Sequence, residues 1–179
     1  LKTHIKLKER VDDAITIIAP RHIERSNEIY SLAKGLNLNP QILNENENIQ
    51  ENKEIIIINY FGALKSFFKY TKSVFMGKSM IFKLKDDGGQ NPIEAAKLGC
   101  KIYHGPYVYN FEEIYEILKK NNISVQIKDH KKLSELLALD LINPVKQENY
   151  DKDIINNLGQ KTLNKTIAII DNFIGYEFN

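Results

Sequence analysis

The chain has 179 residues, with 25 Lys and Arg against 23 Asp and Glu for a formal charge of +2, and is 42% hydrophobic and 27% charged. That length can bury a sizeable core without staples, and a single cysteine, Cys100, cannot close an intrachain disulfide, so a bridge-held secreted scaffold is excluded and a reducing compartment is the default. Near-neutral charge argues against a dedicated nucleic-acid binder, and the longest apolar runs, Ala14–Ala19 and Ile55–Ile58, are far shorter than the roughly 20 residues that cross a bilayer.

The first residue is Leu1 rather than Met, and Lys2–Arg10 reads as an amphipathic helix with no N-cap before it, which suggests a piece of a longer protein. From there short β-branched runs alternate with helical patterns, the sign of βαβ units around a parallel sheet. A first strand, Ile15–Ala19, stops at Pro20. A helix over Glu24–Leu36 follows, with Ile29, Leu32, Ala33 and Leu36 on one face. Pro40–Leu43 is a short second strand, and the Asn/Glu-rich stretch to Lys53 is a polar surface loop. Glu54–Asn59 is a third strand whose unbroken Ile run suits a central position covered on both faces.

A helix is expected over Ala63–Lys72, a fourth strand over Ser73–Met76, and a long, basic, Gly-containing loop over Gly77–Gln90. Then come a helix at Pro92–Leu98, a strand at Lys101–Tyr103, a helix at Phe111–Asn121, a strand at Val125–Ile127 and a helix at Lys131–Leu141. A long final helix, Asp151–Asn172, places Ile154, Ile155, Leu158, Thr162 and Ile169, with Phe173 beyond it, near one apolar side. This order predicts one doubly wound, Rossmann-like α/β domain over residues 1–179.

In open parallel sheets a ligand crevice lies beyond the carboxyl ends of the strands. The residues there are Pro20-Arg21-His22 after the first strand, Gly77-Lys78-Ser79 after the fourth, and His104-Gly105-Pro106 after the fifth. The most specific stretch is Asp87-Gly88-Gly89-Gln90-Asn91-Pro92-Ile93-Glu94-Ala95-Ala96. Two glycines admit close backbone approach, and Asn91 then Pro92 supply an N-cap and a preset first helical residue. A helix start offers free N–H groups to a phosphate. Glu94 would repel a phosphate but can accept hydrogen bonds from the vicinal hydroxyls of a ribose.

Plainer accounts stand beside these. Asn91 to Glu94 has capping-box spacing, in which the Glu merely satisfies the N-cap backbone donor, and Asn110 to Glu113 repeats it. Arg21 either forks onto a carboxylate or phosphate or is solvated. His22 and His104 either face the crevice or are structural, and Lys78, Lys83 and Lys85 form a basic loop that either attracts an anion or faces water. No spacing of His, Cys and Asp resembles a metal site. There is no G-x-S-x-G, no Walker A sequence, and no G-x-G-x-x-G after the first strand. A nucleotide or nucleotide-sugar site remains.

Three motifs come in one order: Pro20-Arg21-His22-x-Glu24-Arg25, Gly88-Gly89-Gln90-Asn91-Pro92-Ile93-Glu94-Ala95-Ala96, and Gly105-Pro106-x-x-x-Asn110-Phe111. Through them, from about His4 to Leu141, the chain resembles the C-terminal half of the 3-deoxy-D-manno-octulosonic acid (Kdo) transferases of Gram-negative bacteria. The resemblance implies a two-domain GT-B glycosyltransferase whose C-terminal domain binds CMP-Kdo with neither metal nor cofactor. The family moves Kdo, with inversion, onto a lipid A precursor at the cytoplasmic face of the inner membrane. Its catalytic base and much of its acceptor site belong to an N-terminal domain, so this fragment would bind donor without turnover, itself soluble, with membrane association left to the full-length enzyme and no nucleic acid as partner.

The same resemblance implies that Glu94 holds the ribose hydroxyls and that Gly88, Gly89 and Asn91 frame the helix start near the phosphate. Arg21 would face the donor's negative charge and stabilise the leaving group. Pro106 and Asn110 would shape the crevice floor, and Pro20, His22, Gly77, Lys78, Ser79 and Gln90 complete the expected donor-binding set. Three departures stand out. Gly62-Ala63-Leu64 lacks the Glu of a frequent G-E-L; Gly77-Lys78-Ser79 replaces a frequent G-G-S; and Gln90 replaces a commoner His, keeping hydrogen bonding but losing a titratable proton. Lys78 either compensates at a carboxylated sugar or faces solvent. The competing readings are a GT-B donor domain for another nucleotide sugar, such as a UDP-sugar, and a non-catalytic α/β interaction domain, to which Ala63 lends weight.

Overall fold

The computed structural model describes residues 1–143, 164, 166–171 and 173. The chain divides into two units, Leu1–Lys72 with Ile127–Val145, and Ser73–Gln126 with Lys146–Asn179.

The first unit holds helix α1 (Lys2–Lys8), strand β1 (Thr16–Ile18), helix α2 (Ser26–Gly35), strands β2 (Pro40–Leu43) and β3 (Ile55–Ile58), helix α3 (Leu64–Phe68) and, returning late in the chain, helix α6 (His130–Ile142). The strands form a parallel sheet in the order β1-β3-β2, with Ile55 opposite both Thr16 and Pro40. Because β3 is central, all four of its isoleucines are buried, each stabilising by about 2 kcal/mol. Pro40 opens the edge strand β2, where a missing N–H costs no ladder bond. Helix α2 packs on β2 and β3, and α1 packs on α6, where Leu7, Ala14 and Ala138 form a small core with Val11 and Leu137 against it. The Asp129 side chain caps α6 by accepting the Lys132 N–H at 2.8 Å.

The second unit holds β4 (Ser73–Met76), α4 (Ile93–Lys97), β5 (Lys101–His104), α5 (Glu112–Lys120) and β6 (Ser124–Gln126). These strands form a second parallel sheet, in the order β4-β5-β6. Ile102 and Tyr103 on the central β5 are fully buried, with Cys100, Leu118 and Ile123 around them. Burial pushes the Cys100 thiol up to about 11, so it is an inert core residue.

The expected alternation of parallel strands and helices is present, with the pairing arranged as two three-stranded sheets. Two details differ. The segment Gly77–Gln90 is not a plain loop, since Phe82–Asp87 winds into a 3₁₀ turn. Tyr109–Phe111 winds into another, so α5 begins only at Glu112. Of the expected final helix, residues 164 and 166–171 are helical; Ile154, Ile155, Leu158 and Thr162 lie outside the described residues. Among the described residues no helix is long and apolar enough to cross a membrane.

Candidate functional site

In the second unit the segments that follow β4 and β5 meet around Gly88-Gly89. Ser79 is the buried pin. Its hydroxyl donates to the Met76 carbonyl at 2.6 Å and accepts the Gly105 N–H at 2.8 Å, while its carbonyl accepts the Tyr107 N–H at 2.9 Å. The packing is so close that a Cβ on Gly105 would collide with the Ser79 carbonyl and the Met80 sulfur. Ser79 therefore shapes the surrounding loops from inside and has no hydroxyl capacity directed outward.

Gly88 and Gly89 are buried beneath the next layer. A Cβ on Gly88 would stand 2.5 Å from the Tyr107 carbonyl oxygen and 2.8 Å from that of Leu84, and Gly89 holds φ at +89°, so both places require glycine. The Gly89 N–H donates to the Lys78 carbonyl at 2.9 Å. Gln90 turns its backbone carbonyl to the Tyr115 hydroxyl, which donates at 2.9 Å; burial pushes the Tyr115 pKa up, keeping that proton in place.

Lys78, read from the sequence as either an anion partner or a solvated cation, is tied into the loop cluster. Its ammonium pairs with Asp87 Oδ2 at 2.5 Å, and the other Asp87 oxygen accepts from Asn110 Nδ2 at 3.0 Å. Lys78 adopts φ +58°, a left-handed conformation that costs a non-glycine residue about 1 kcal/mol. This explains why glycine is frequent there in the G-G-S pattern. Lys83 is exposed, and Lys85 sits 5.6 Å from the Phe82 ring centre and 4.0 Å from Asp86.

Neither capping box forms. Asn91 Oδ1 accepts the N–H of Ile93, two residues on, at 3.0 Å, and the exposed Glu94 carboxylate hydrogen-bonds to nothing among the described residues. The plainer account of Glu94 therefore fails, and the carboxylate faces outward from the first turn of α4. That helix runs only five residues, so its dipole is short, and the backbone at Gly88-Gly89, expected from the sequence to admit a ligand closely, is instead packed against Tyr107, Leu84 and Val108. Asn110 sits in the 3₁₀ turn before α5, held by Asp87 and by its own N–H to the Gly88 carbonyl at 3.4 Å. It stitches the loops together and does not cap α5. Gly77 and Pro106 are exposed at the ends of β4 and β5.

His104 is buried within β5. Its Nδ1–H donates to the Gly105 carbonyl at 2.7 Å, and its ring lies 4.3 Å from that of Tyr115. Desolvation lowers its pKa despite that carbonyl, so it is a neutral core residue. In the first unit, Pro20 is half-buried and Arg21 and His22 are exposed immediately after β1. Arg25 forks onto Glu28 at 3.0 and 3.1 Å, which accounts for the second cation of that motif. The structure thus joins Lys78, Ser79, Gly88, Gly89, Gln90 and Asn110, with Asn91 and Glu94 directly following, and holds Pro20, Arg21 and His22 in the other unit. The sequence reading missed the hub, Asp87, and the brace, Tyr115. Asp87 directly before Gly-Gly was the available signal; nothing in the spacing of Tyr115 marks it.

No protein-family model matches the chain. Among curated proteins it is 31% identical over 173 residues to the 3-deoxy-D-manno-octulosonic acid transferase of Rickettsia prowazekii, covering 94% of this chain and 36% of that protein. It is 32% identical over 174 residues to that of Rickettsia felis, with the same coverage, and 25% identical over 143 residues to that of Aquifex aeolicus. The chain thus spans about a third of the length of these relatives. Among solved structures it matches the C-terminal CMP-Kdo binding domain of WaaA from Acinetobacter baumannii, with a TM-score of 0.74 and 20% identity over 89% of this chain and 81% of that one. That likeness shows a shared α/β fold. Over nearly all of its length, this chain is a homologue of the 3-deoxy-D-manno-octulosonic acid transferases.

Proposed function

We propose that this chain is a single donor-binding domain of an inverting glycosyltransferase that moves Kdo from CMP-Kdo to a lipid A precursor. The observation that carries the reading is homology to Kdo transferases along 94% of the chain. The neighbouring structure, a CMP-Kdo binding domain, supports the donor. On this reading the acceptor and the catalytic base belong to a part of the enzyme outside this sequence, and the whole enzyme works at the cytoplasmic face of the bacterial inner membrane.

Breaking the glycosyl–phosphate bond puts positive charge on the sugar and negative charge on departing CMP. Donors aimed at that developing charge speed departure with no covalent step from the protein. Here Gly88 and Gly89, packed beneath Tyr107 and Val108, frame the start of α4 near the phosphate, the outward Glu94 carboxylate accepts from the ribose hydroxyls, and Arg21 is the leaving-group stabiliser that the resemblance implies. In the second unit Gly77, Gln90, Asn91 and Pro106 line the donor site, with Ser79 setting its shape; Pro20 and His22 stand beside Arg21 after β1 in the first unit.

Calorimetric titration of the 179-residue chain with CMP, UMP and AMP tests this. CMP is expected to bind in preference to the other two, and Glu94→Ala to weaken it about tenfold, the scale of a lost hydrogen bond to a charged group; Arg21→Ala should weaken it as well. Preference for UMP would move the chain to a UDP-sugar donor. A folded chain that binds no nucleotide would sink the donor-site reading and leave an interaction domain.

A further inference from the structure

The exposed apolar side chains of the second unit are not scattered. Among residues 73–126 the large hydrophobics open to solvent are Phe75, Ile81, Phe82 and Tyr109. The last three stand on or beside the 3₁₀ turns Phe82–Asp87 and Tyr109–Phe111, which pack against each other. The first of these turns projects from a closed stem. The Lys78 carbonyl accepts the Gly89 N–H at 2.9 Å, the Ser79 carbonyl accepts the Tyr107 N–H at 2.9 Å, and the Lys78 ammonium pairs with Asp87 at 2.5 Å. A loop with both ends fixed in this way is a compact Ω-type excursion, a kind that is frequently functional. At its tip the Phe82 ring stays 65% exposed, although it stands edge-on to Tyr107 at 5.8 Å with the Lys85 ammonium 5.6 Å from its centre. Lys83 and Lys85 are exposed beside it. Asp87 is taken up by the stem and Asp86 lies 4.0 Å from Lys85, so the tip carries two cations against one anion.

This chemistry separates two kinds of partner. Contact surfaces for proteins favour aromatic residues, Met and Arg and are depleted in Lys. Aromatic and aliphatic side chains flanked by lysines suit a bilayer instead, because the apolar groups enter the boundary between headgroups and acyl chains while lysine stems lie along it with their ammonium groups in the headgroup layer. We propose that the turn carrying Ile81, Phe82, Lys83 and Lys85, with Tyr109 beside it, docks on the surface of an anionic lipid bilayer. Ile81 and Phe82 enter the interface, and Lys83 and Lys85 face the lipid phosphates. One apolar turn and two lysines give a reversible, salt-sensitive contact and not a permanent anchor. The inference goes beyond the donor-site reading and stands apart from it, since a chain that binds no nucleotide can still bind a vesicle.

Sedimentation of the 179-residue chain with vesicles of phosphatidylcholine alone, and of phosphatidylcholine mixed equally with phosphatidylglycerol, tests this. The wild type should bind the mixed vesicles, bind phosphatidylcholine alone more than about tenfold less tightly, and dissociate as salt is raised. Replacing both apolar residues, Ile81→Ser with Phe82→Ser, should weaken binding to the mixed vesicles more than about tenfold, and Lys83→Gln should weaken it about fivefold. These changes fall on exposed side chains, so the fold, followed by circular dichroism, and the CMP affinity should stay as in the wild type. Because the chain has no Trp, Phe82→Trp supplies a single reporter, whose emission should shift to the blue when mixed vesicles are added. A wild type that binds neither kind of vesicle overturns the inference and leaves the patch to a protein surface. Equal binding to both kinds overturns the assignment to anionic lipid. Bound protein with unshifted Trp emission, or binding that the paired Ser changes leave intact, places the contact elsewhere in the chain and overturns the assignment to this turn. CMP affinity that falls in step with vesicle binding returns the turn to the donor site and overturns it as well.

Discussion

Two buried histidines make the stability of this chain depend on pH. His4 on α1 accepts from Thr16 Oγ1 at 2.9 Å through Nδ1 and donates to Glu54 Oε2 at 3.3 Å through Nε2. The Glu54 carboxylate also accepts the Asn39 N–H at 2.8 Å and lies 3.5 Å from the Lys8 ammonium. Desolvation lowers the His4 pKa, against the upward pull of Glu54. For His104 desolvation again dominates, and its Nε2 has no hydrogen-bond partner among the described residues. Both therefore stay neutral in the folded chain at a pH where the unfolded chain, titrating near 6.5, already takes up protons. More protons on the unfolded state means stability that is intact above about pH 6.5 and falls as the pH drops below it. Urea midpoints should accordingly fall between pH 7.5 and 5.5, and His104→Phe, which keeps a ring against Tyr115, should flatten the slope. A midpoint that is level or rises over that interval would show that these histidines are not desolvated. The lowered carboxylates of Glu28, Glu54 and Asp129 act in a separate, more acid window.

At the scale of elements, the order of strands and helices was legible because its signals are local. Four consecutive isoleucines mark β3 as central, and Asn37 and Asn122, both left-handed at φ +58°, end α2 and α5 as glycine usually would. What could not be read was where loop side chains turn. Asn91 to Glu94 and Asn110 to Glu113 carry capping spacing, but spacing does not disclose that Tyr109–Phe111 winds into a 3₁₀ turn and delivers Asn110 to Asp87, 23 residues earlier. Nor does it disclose that the Ser79 hydroxyl is consumed inside the fold. The Gly105 contact follows from that arrangement, so Gly105→Ala should push the segments after β4 and β5 apart, cost about 1–3 kcal/mol as an overpacked site, and reduce CMP affinity in step. Thermal unfolding and titration of this variant check both. A stable, fully binding Gly105→Ala protein would mean that these loops adapt freely.

At the scale of the whole molecule, the proposed division of labour gives the residues of this chain donor binding and leaves the catalytic base to another part of the enzyme. Incubated with CMP-Kdo and a lipid A precursor, the 179-residue chain is expected to bind donor and form no glycosylated lipid. Product formation by the chain alone would place the base inside these residues and contradict the division of labour proposed for the enzyme. The buried isoleucines of β3 carry a further cost, paid before the fold exists. Ile55 finds its partners 39 and 15 positions away, at Thr16 and Pro40, so the run Ile55–Ile58 waits exposed while those segments come together. An uncharged, proline-free stretch of β-branched residues is the kind of segment that seeds cross-β stacking between chains. Lys53 and Glu54 on one side, and the polar Asn59 on the other, are placed as gatekeepers that interrupt such stacking.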